Sequence, residues 1–468
     1  MAHQVLEVTS MDLKSAFSMS EDIQKKELNP GQVLVLGFAS VILIGAILLN
    51  LPISTQSGES IGFINAIFTA TSAVCVTGLV VVDTGTYWTV FGKSIILLLI
   101  QIGGLGFMTM ATSMAFLIGK RISLRSRLIM QEALNQFTIS GIVRLTKYII
   151  YTTLIIEGIG ALLLAFKFVP EYGVSTGIFY SIFHSISAFC NAGFDIVGHG
   201  RSLTPFVGSA LVNFTIVMLI TVGGIGFTVI IDLFQRATGK VRSLSLHTKF
   251  VLVISAILVV SAFLMILLFE FNNPDTMGNL NFGEKLLASL FHAVTPRTAG
   301  FNTLPMDKLT MPTKFLTIIH MFIGGSPGST AGGVKTTTMG LVILLIISVI
   351  TGKEDIEFGK RRFQQATVMR ALAILGIGLF IVITVTLFLS FTEQGMTFME
   401  LFFESISAFA TVGLSLGISS KLSIAGKIII TITMFFGRLG PLTIAMALAR
   451  RQVKKQLYRY PEGRITVG

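Results

Sequence analysis

The sequence is poor in charge. Asp, Glu, Lys and Arg make up 12% of its 468 residues, where a soluble domain carries about a quarter. No polar block is long enough to be a soluble domain, although the length would allow several. Cysteine is scarce too. Cys75 and Cys190 are the only two, and both lie inside apolar repeats. A disulfide framework is not implied, and small buried side chains are the plain reading. Residues 1–30 lack an apolar stretch beside a cleavage-like site, so no removable leader is expected. They hold five acids against three lysines and read as a cytoplasmic tail.

What the chain has in abundance is apolar sequence. Hydrophobic residues make up 52%, and the mean hydropathy is +0.81. Runs such as 33–51 and 251–269 reach the ~20 residues that a helix needs to cross a bilayer. The expectation is an integral protein of the cell membrane, with the lipid bilayer as its first partner. A net charge of +12 can signal nucleic acid, but its distribution argues otherwise. Segments 119–148, 232–249, 352–370 and 450–468 hold 21 of the 35 Lys and Arg but only 6 of the 23 acids. This is the positive-inside pattern. It assigns these segments and the C-terminus to the cytoplasm, and no nucleic-acid partner is expected.

One phrase occurs twice: SISAFCNAGF from Ser185 and SISAFATVGL from Ser405. Two diverged copies follow from a search for internal repeats: FTATSAVCVTGL from Phe68 and FHAVTPRTAGF from Phe291. The glycines Gly78, Gly193, Gly300 and Gly413 close the four phrases. A second signal trails each of them: GGLG at Gly103, GGIG at Gly223, GGSPG at Gly324 and GRLG at Gly437. Each repeat therefore has one layout. First spans near 33–51, 148–168, 249–271 and 368–391 precede short apolar pieces at 61–74, 176–189, 283–295 and 397–409. Last spans near 93–118, 207–234, 313–351 and 424–449 follow. Pieces of about 13 residues are too short to span and suit re-entrant helices.

The fold expected is an all-α integral membrane protein of four tandem helix–pore helix–helix repeats. Eight transmembrane helices and four re-entrant half-helices would surround one central pseudo-fourfold pore. The units are a cytoplasmic tail 1–30, repeats at 31–120 and 148–240 joined by a cytoplasmic linker 121–147, a repeat at 241–352 containing an intramembrane gating loop 324–338, a repeat at 353–449, and a cytoplasmic tail 450–468.

Irregular backbone at membrane depth survives only where protein buries it or where it lines a cavity. Gly accepts positive φ and lets consecutive carbonyls turn the same way. Four such strands would ring one axis with oxygens that replace the hydration shell of a cation. The negative C-terminal ends of four half-helices aimed at that axis favour a cation again.

On these phrases, on the Gly-rich stretch 324–333 and on the C-terminal YRYPEGR, the chain resembles the Trk/Ktr/HKT superfamily of potassium transporters over nearly its whole length, and within it a Ktr-type membrane subunit. The resemblance implies a potassium filter built from Cys75, Val76, Thr77 and Gly78; Cys190, Asn191, Ala192 and Gly193; Arg297, Thr298, Ala299 and Gly300; and Ala410, Thr411, Val412 and Gly413. In this family Ser at the first filter glycine accompanies sodium transport; all four positions here are Gly.

Within the chain, Arg438 falls where the other second signals have Gly104, Gly224 and Gly325. An intramembrane Arg is expensive unless it faces a cavity or a partner. It is read as an electrostatic barrier beneath the filter, against a plain alternative of snorkelling to the cytoplasmic surface. The third last span is interrupted by GGSPGSTAGGVKTTT, residues 324–338. A Walker loop would need Lys directly after the second Gly of GxxxxG; here Val334 intervenes before Lys335. The other reading is a loop that blocks the pore and moves aside. The resemblance implies that gate, formed by Gly324, Gly325, Ser326, Pro327, Gly328, Ser329, Thr330, Ala331, Gly332, Gly333 and Lys335 with Arg438.

His184, His292 and Glu404 are expected as hydrogen-bonded supports behind the filter, with no metal-type cluster around them. For Glu157 a structural hydrogen bond and a coupling-ion role are both open. Asp195 is placed at the outer mouth, where it would concentrate cations. The expected function is uptake of K+, with sodium as coupled or activating ion left open; the protein is a transporter subunit, not an enzyme. The resemblance also implies a homodimer seated on a cytosolic KtrA/KtrC-type nucleotide-binding ring, with no nucleotide bound by this chain itself. The alternatives are a sodium transporter of the same architecture and a nucleotide-dependent membrane enzyme using 324–338.

Overall fold

A computed structural model describes residues 30–106, 109, 124–133 and 141–440. The tails expected at 1–30 and 450–468, Pro30 excepted, and part of the linker fall outside the described residues. In chain order the helices are α1 (Pro30–Leu49), α2 (Phe63–Val74), α3 (Val90–Leu105), α4 (Leu124–Ala133), α5 (Ile142–Tyr172), α6 (Val174–Phe189), α7 (Ala210–Ile225), α8 (Phe227–Ala237), α9 (Leu246–Glu270), α10 (Phe282–Val294), α11 (Met311–Phe322), α12 (Thr336–Ile350), α13 (Gln365–Thr392), α14 (Phe398–Ala410) and α15 (Ile424–Leu439). A two-stranded hairpin, β1 (Glu357–Phe358) and β2 (Arg361–Arg362), joins α12 to α13.

The four tandem units of helix, half-helix and helix are present. α1, α5, α9 and α13 open them, and each is long and apolar enough to cross a membrane. Their outward faces carry large apolar side chains such as Leu268, 74% exposed, and Phe391, 83% exposed. Water would disfavour such a belt, and lipid suits it. α2, α6, α10 and α14 follow, with 12, 16, 13 and 13 residues. Capping boxes start two of them, Asn281 with Glu284 for α10 and Thr397 with Glu400 for α14, each satisfying otherwise unpaired backbone donors.

The last spans of the first, second and fourth repeats depart from the continuous helix expected, and the third breaks at its glycine-rich loop, as expected. The span expected at 207–234 splits at Gly226 into α7 and α8, which meet at 103°. The one expected at 313–351 splits into α11 and α12 around the loop 323–335. α3 and α15 stop before Gly106 and Gly440, and the remainders of the spans expected at 93–118 and 424–449 lie outside the described residues, Thr109 excepted. The cause is local. The final Gly of each second signal, Gly106, Gly226, Gly328 and Gly440, has φ of +81°, +102°, +65° and +82°, a region that L side chains avoid.

Two carboxylates pin the outer ends of the repeats. Glu270, the last residue of α9, accepts from the Thr310 amide (2.8 Å) ahead of α11, and from Asn273 and Thr276. Glu393, just past α13, accepts from the Ser423 amide (2.9 Å) and hydroxyl (2.5 Å) ahead of α15. Negative charge at a helix N-terminus is stabilising by about 0.3–1 kcal/mol.

Candidate functional site

The four half-helices converge, and the four glycines meet. A Cβ on Gly78 would lie 2.5 Å from the Ala192 carbonyl oxygen. One on Gly193 would lie 2.8 Å from that of Ala299, one on Gly300 2.6 Å from that of Val412, and one on Gly413 2.1 Å from that of Thr77. Each glycine thus abuts the carbonyl of the next repeat, and the fourth returns to the first. The ring is closed. All four glycines have positive φ, between 68° and 90°. Two residues earlier, Val76, Asn191, Thr298 and Thr411 also have positive φ, between 52° and 64°. Three of these are β-branched, for which that conformation is an outlier. The backbone at the ring therefore holds strain of order 1–3 kcal/mol per residue.

The half-helix ends hold this shape. The Thr77, Ala192 and Val412 amides each donate back to the carbonyls of Ser72, Ser187 and Ser407, all at 2.8 Å. The Ser72 and Ser407 hydroxyls accept from the Gly78 and Gly413 amides at 3.1 Å. Ser187 donates instead to the Phe194 carbonyl (2.7 Å). In the third repeat, one residue shorter, Thr295 donates to the Phe301 carbonyl (2.5 Å). Side-chain oxygens of Thr77, Asn191 and Thr411 are buried without a protein partner. Cys75, Cys190, Arg297 and Ala410 precede the turn. Arg297 sends its guanidinium outward, where Nη2 donates to Ser255 of α9 (3.0 Å).

Beneath the ring lies the loop between α11 and α12. The second-signal glycines explain the close approach. A Cβ on Gly103, Gly223 or Gly437 would fall 1.9 Å from the carbonyl oxygen of Val74, Phe189 or Phe409 in the half-helix of the same repeat. No side chain fits there. In the third repeat, Gly324 abuts the Gly332 carbonyl of its own loop instead. The loop is stitched to the α7–α8 break: the Ser326 amide donates to the Gly224 carbonyl (2.9 Å), the Thr330 amide to that of Gly223 (3.3 Å), and the Phe227 amide to that of Gly328 (2.9 Å). It also reaches the turns of the ring. The Thr330 hydroxyl donates to the Phe189 carbonyl (3.2 Å), and a Cβ on Gly332 would collide with the Thr411 hydroxyl. Arg438, on α15, donates to the Thr330 carbonyl and to the carbonyls of Gly103 and Gly104. Lys335 closes the loop on itself, its Nζ on the Ala331 carbonyl (2.6 Å). Gly325, Pro327, Ser329 and Gly333 complete the segment.

The family model for cation transport protein, TrkH, matches residues 13–456. The chain belongs to the TrkH family of cation transport proteins. Within this family, it is 45% identical over 439 residues to the Ktr system potassium uptake protein B of Bacillus subtilis, covering 94% of this chain and 97% of that one. It is 39% identical over 450 residues to the potassium/sodium uptake protein NtpJ of Enterococcus hirae, covering 95% and 98%. Its fold matches the crystal structure of the potassium transporter TrkH from Vibrio parahaemolyticus with a TM-score of 0.70, at 20% identity, over 91% of this chain and 86% of that one.

This TrkH-family chain buttresses its ring from behind. His184 accepts from the Ile196 amide through Nε2 (3.4 Å) and contacts the Tyr180 carbonyl through Nδ1 (2.8 Å). His292 Nε2 contacts the Thr317 hydroxyl (3.1 Å). Glu404 accepts from Ser415 (2.7 Å) and Ser419. These three equivalent positions tie half-helices to outer loops or to α11. At the outer mouth, Asp83 clamps the loops of the first two repeats, accepting from the amides of Thr86 (2.8 Å) and Gly200 (2.5 Å). Asp195 follows Gly193 of the ring by two residues. Burial pushes its carboxyl up to about 7, with the charge of Asp83 adding to the rise and hydrogen bonds from Val197, Ser202 and Gly198 opposing it. No group of three or more His, Cys, Asp or Glu able to hold a metal occurs among the described residues. Sequence reasoning passed over Glu270, Glu393 and Asp83. Each sits at an element end, where only the fold reveals the amide it meets.

Proposed function

We propose that this chain takes up K+ across the cell membrane along the axis of the glycine ring. The observation that carries the reading is the closed ring: four carbonyl-bearing turns, one per repeat, in mutual contact at membrane depth. Carbonyls held in such a ring take over the hydration shell of a desolvated cation. The unpartnered oxygens of Thr77, Asn191 and Thr411 suit the same cargo. The loop 324–335 and Arg438 act as the gate beneath it. The guanidinium adds positive charge where a cation would leave the filter, and its hydrogen bond to Thr330 holds the loop closed. The relatives named for potassium uptake support the choice of ion.

Two finer readings belong to the same proposal. The chain pairs with a second copy and rests on a cytosolic nucleotide-binding ring, using segment 119–148 and the C-terminal tail as contact surfaces. Its relative in Bacillus subtilis, named as one component of a Ktr system, supports a partner. Sodium acts beside potassium, as the name of the Enterococcus hirae potassium/sodium uptake protein favours. Purified protein in liposomes tests the core. Potassium flux without a hydrolysable nucleotide is expected. ATP hydrolysis by the chain alone, with no ion flux, would overturn the proposal in favour of the enzyme reading. Sodium flux equal to potassium flux would favour the sodium transporter.

A further inference from the structure

We propose that Glu157 is a positioning residue for the second filter turn, setting ion discrimination from behind the ring without touching the ion. The inference rests on the filter reading above. Glu157 lies mid-way along α5 and is 5% exposed. An ionisable side chain at that depth calls for a partner or a function. It meets no cation in an ion pair among the described residues. Its carboxyl points at the filter instead. Oε2 accepts from Nε2 of Gln101 on α3 (3.2 Å), and Oε1 faces the Sγ of Cys190 (3.8 Å), which also faces Oε1 of Gln101 (3.7 Å). The Glu157 backbone carbonyl accepts from Ser185 of α6 (2.6 Å). One residue thus grips the last turn of the second half-helix through its main chain and its side chain.

Cys190 has no slack on its other side. A Cβ on Gly104 would stand 2.5 Å from its Sγ. One turn along α5, a Cβ on Gly160 would stand 2.5 Å from the Ser185 hydroxyl oxygen. The thiol is therefore wedged between the α3 backbone and the Glu157–Gln101 pair. The next residue, Asn191, is one of the strained left-handed positions, and its Nδ2 donates across to the Arg297 carbonyl (3.2 Å) of the third repeat. A shift of the thiol tilts Asn191 and moves carbonyls in two of the four walls. Arg297, at the same register as Cys190, is tied outward to Ser255 in the same manner. Backward tethering of the residue before the turn is thus a device used twice.

The test measures K+ and Na+ flux into vesicles under an imposed potential, for the full chain. Glu157→Ala should lower the K+/Na+ ratio by at least about five-fold, the effect of one neutral hydrogen bond. Glu157→Gln, which keeps an acceptor oxygen, should restore it to within about two-fold of wild type. Cys190→Ala, a mild change, should lower the ratio similarly, and the double variant should lower it no further than either single, as for one shared interaction. An unchanged ratio in Glu157→Ala and Cys190→Ala, or additive effects, overturns the inference. So does loss of sodium stimulation with an unchanged ratio, which would make Glu157 a coupling-ion site. If Glu157→Ala fails to fold, Cys190→Ala decides. Gly193→Ser in the same assay separates the two readings. A ratio lowered there but not in the Glu157 and Cys190 variants sinks only this inference; a ratio unchanged in Gly193→Ser sinks the filter itself.

Discussion

At the residue scale, each glycine of the ring is required by its neighbour. Gly413→Ala would drive a methyl to 2.1 Å from the Thr77 carbonyl oxygen, at a φ of +90°. Backbone on both sides must then move, at a cost of about 1–3 kcal/mol. The K+/Na+ flux ratio should fall about ten-fold, because one filter oxygen leaves its register and 1.4 kcal/mol is ten-fold. A wild-type ratio in folded protein would remove Gly413 from the filter. Asp195 offers a second test. Its carboxyl is pushed up to about 7 by burial and by Asp83, so it is neutral below that pH and charged above it. Uptake from dilute potassium should therefore rise as the external pH goes from about 6 to about 8, as a charged mouth concentrates cations. Asp195→Asn should flatten that rise. An unchanged pH profile in the variant would assign the rise to another group. The glycines and Asp195 were legible in sequence, since a repeated phrase and a lone acid after it stand out. The left-handed Val76, Thr298 and Thr411 were not. β-branched residues ordinarily signal extended strand, and only the closure of the ring forces them out of it.

At the element scale, the proposed gate is the loop 323–335. It holds its place through backbone hydrogen bonds to the α7–α8 break, the Thr330 hydroxyl and the Arg438 guanidinium. Arg438→Ala removes the bond to Thr330 and those to the end of α3 together. Potassium flux through reconstituted protein should rise about five-fold or more, the effect of losing one hydrogen bond that favours the closed loop. Deletion across 325–332 should do the same. Equal or lower flux in well-folded variants would deprive Arg438 of its barrier role. The elements themselves were readable: long apolar runs, short apolar pieces and their order all follow from length and hydropathy. The broken last spans were not. Hydropathy runs on past Gly226, and nothing in composition separates a glycine that bends a chain by 103° from one that merely lets two helices approach. The break at 324–338 was visible only because five glycines, a proline and a lysine interrupt it.

At the scale of the whole molecule, four repeats enclose one axis, and the proposed partner ring would dock on the basic segments that the charge pattern assigns to the cytoplasm. If a nucleotide-binding ring docks there, a potassium-requiring host should grow at lower potassium with the ring subunit co-expressed than without it. Equal growth in both would make the chain self-sufficient. The four turns of the ring followed from the sequence because four copies could be compared with each other. The long-range pairs behind the ring did not. Glu157 meets Cys190 across 33 residues and Gln101 across 56, and Glu393 meets Ser423 across 30; no local pattern encodes such pairs. The ring has one more consequence, for descent rather than transport. Repeats born as copies would be expected to diverge independently once fused. Here the space at each glycine is bounded by the carbonyl of the following repeat, and the fourth is bounded by the first. A change in one wall alters the room available to the wall before it. The filter turns should therefore vary jointly among relatives, in cyclic order, while the helices behind them drift alone.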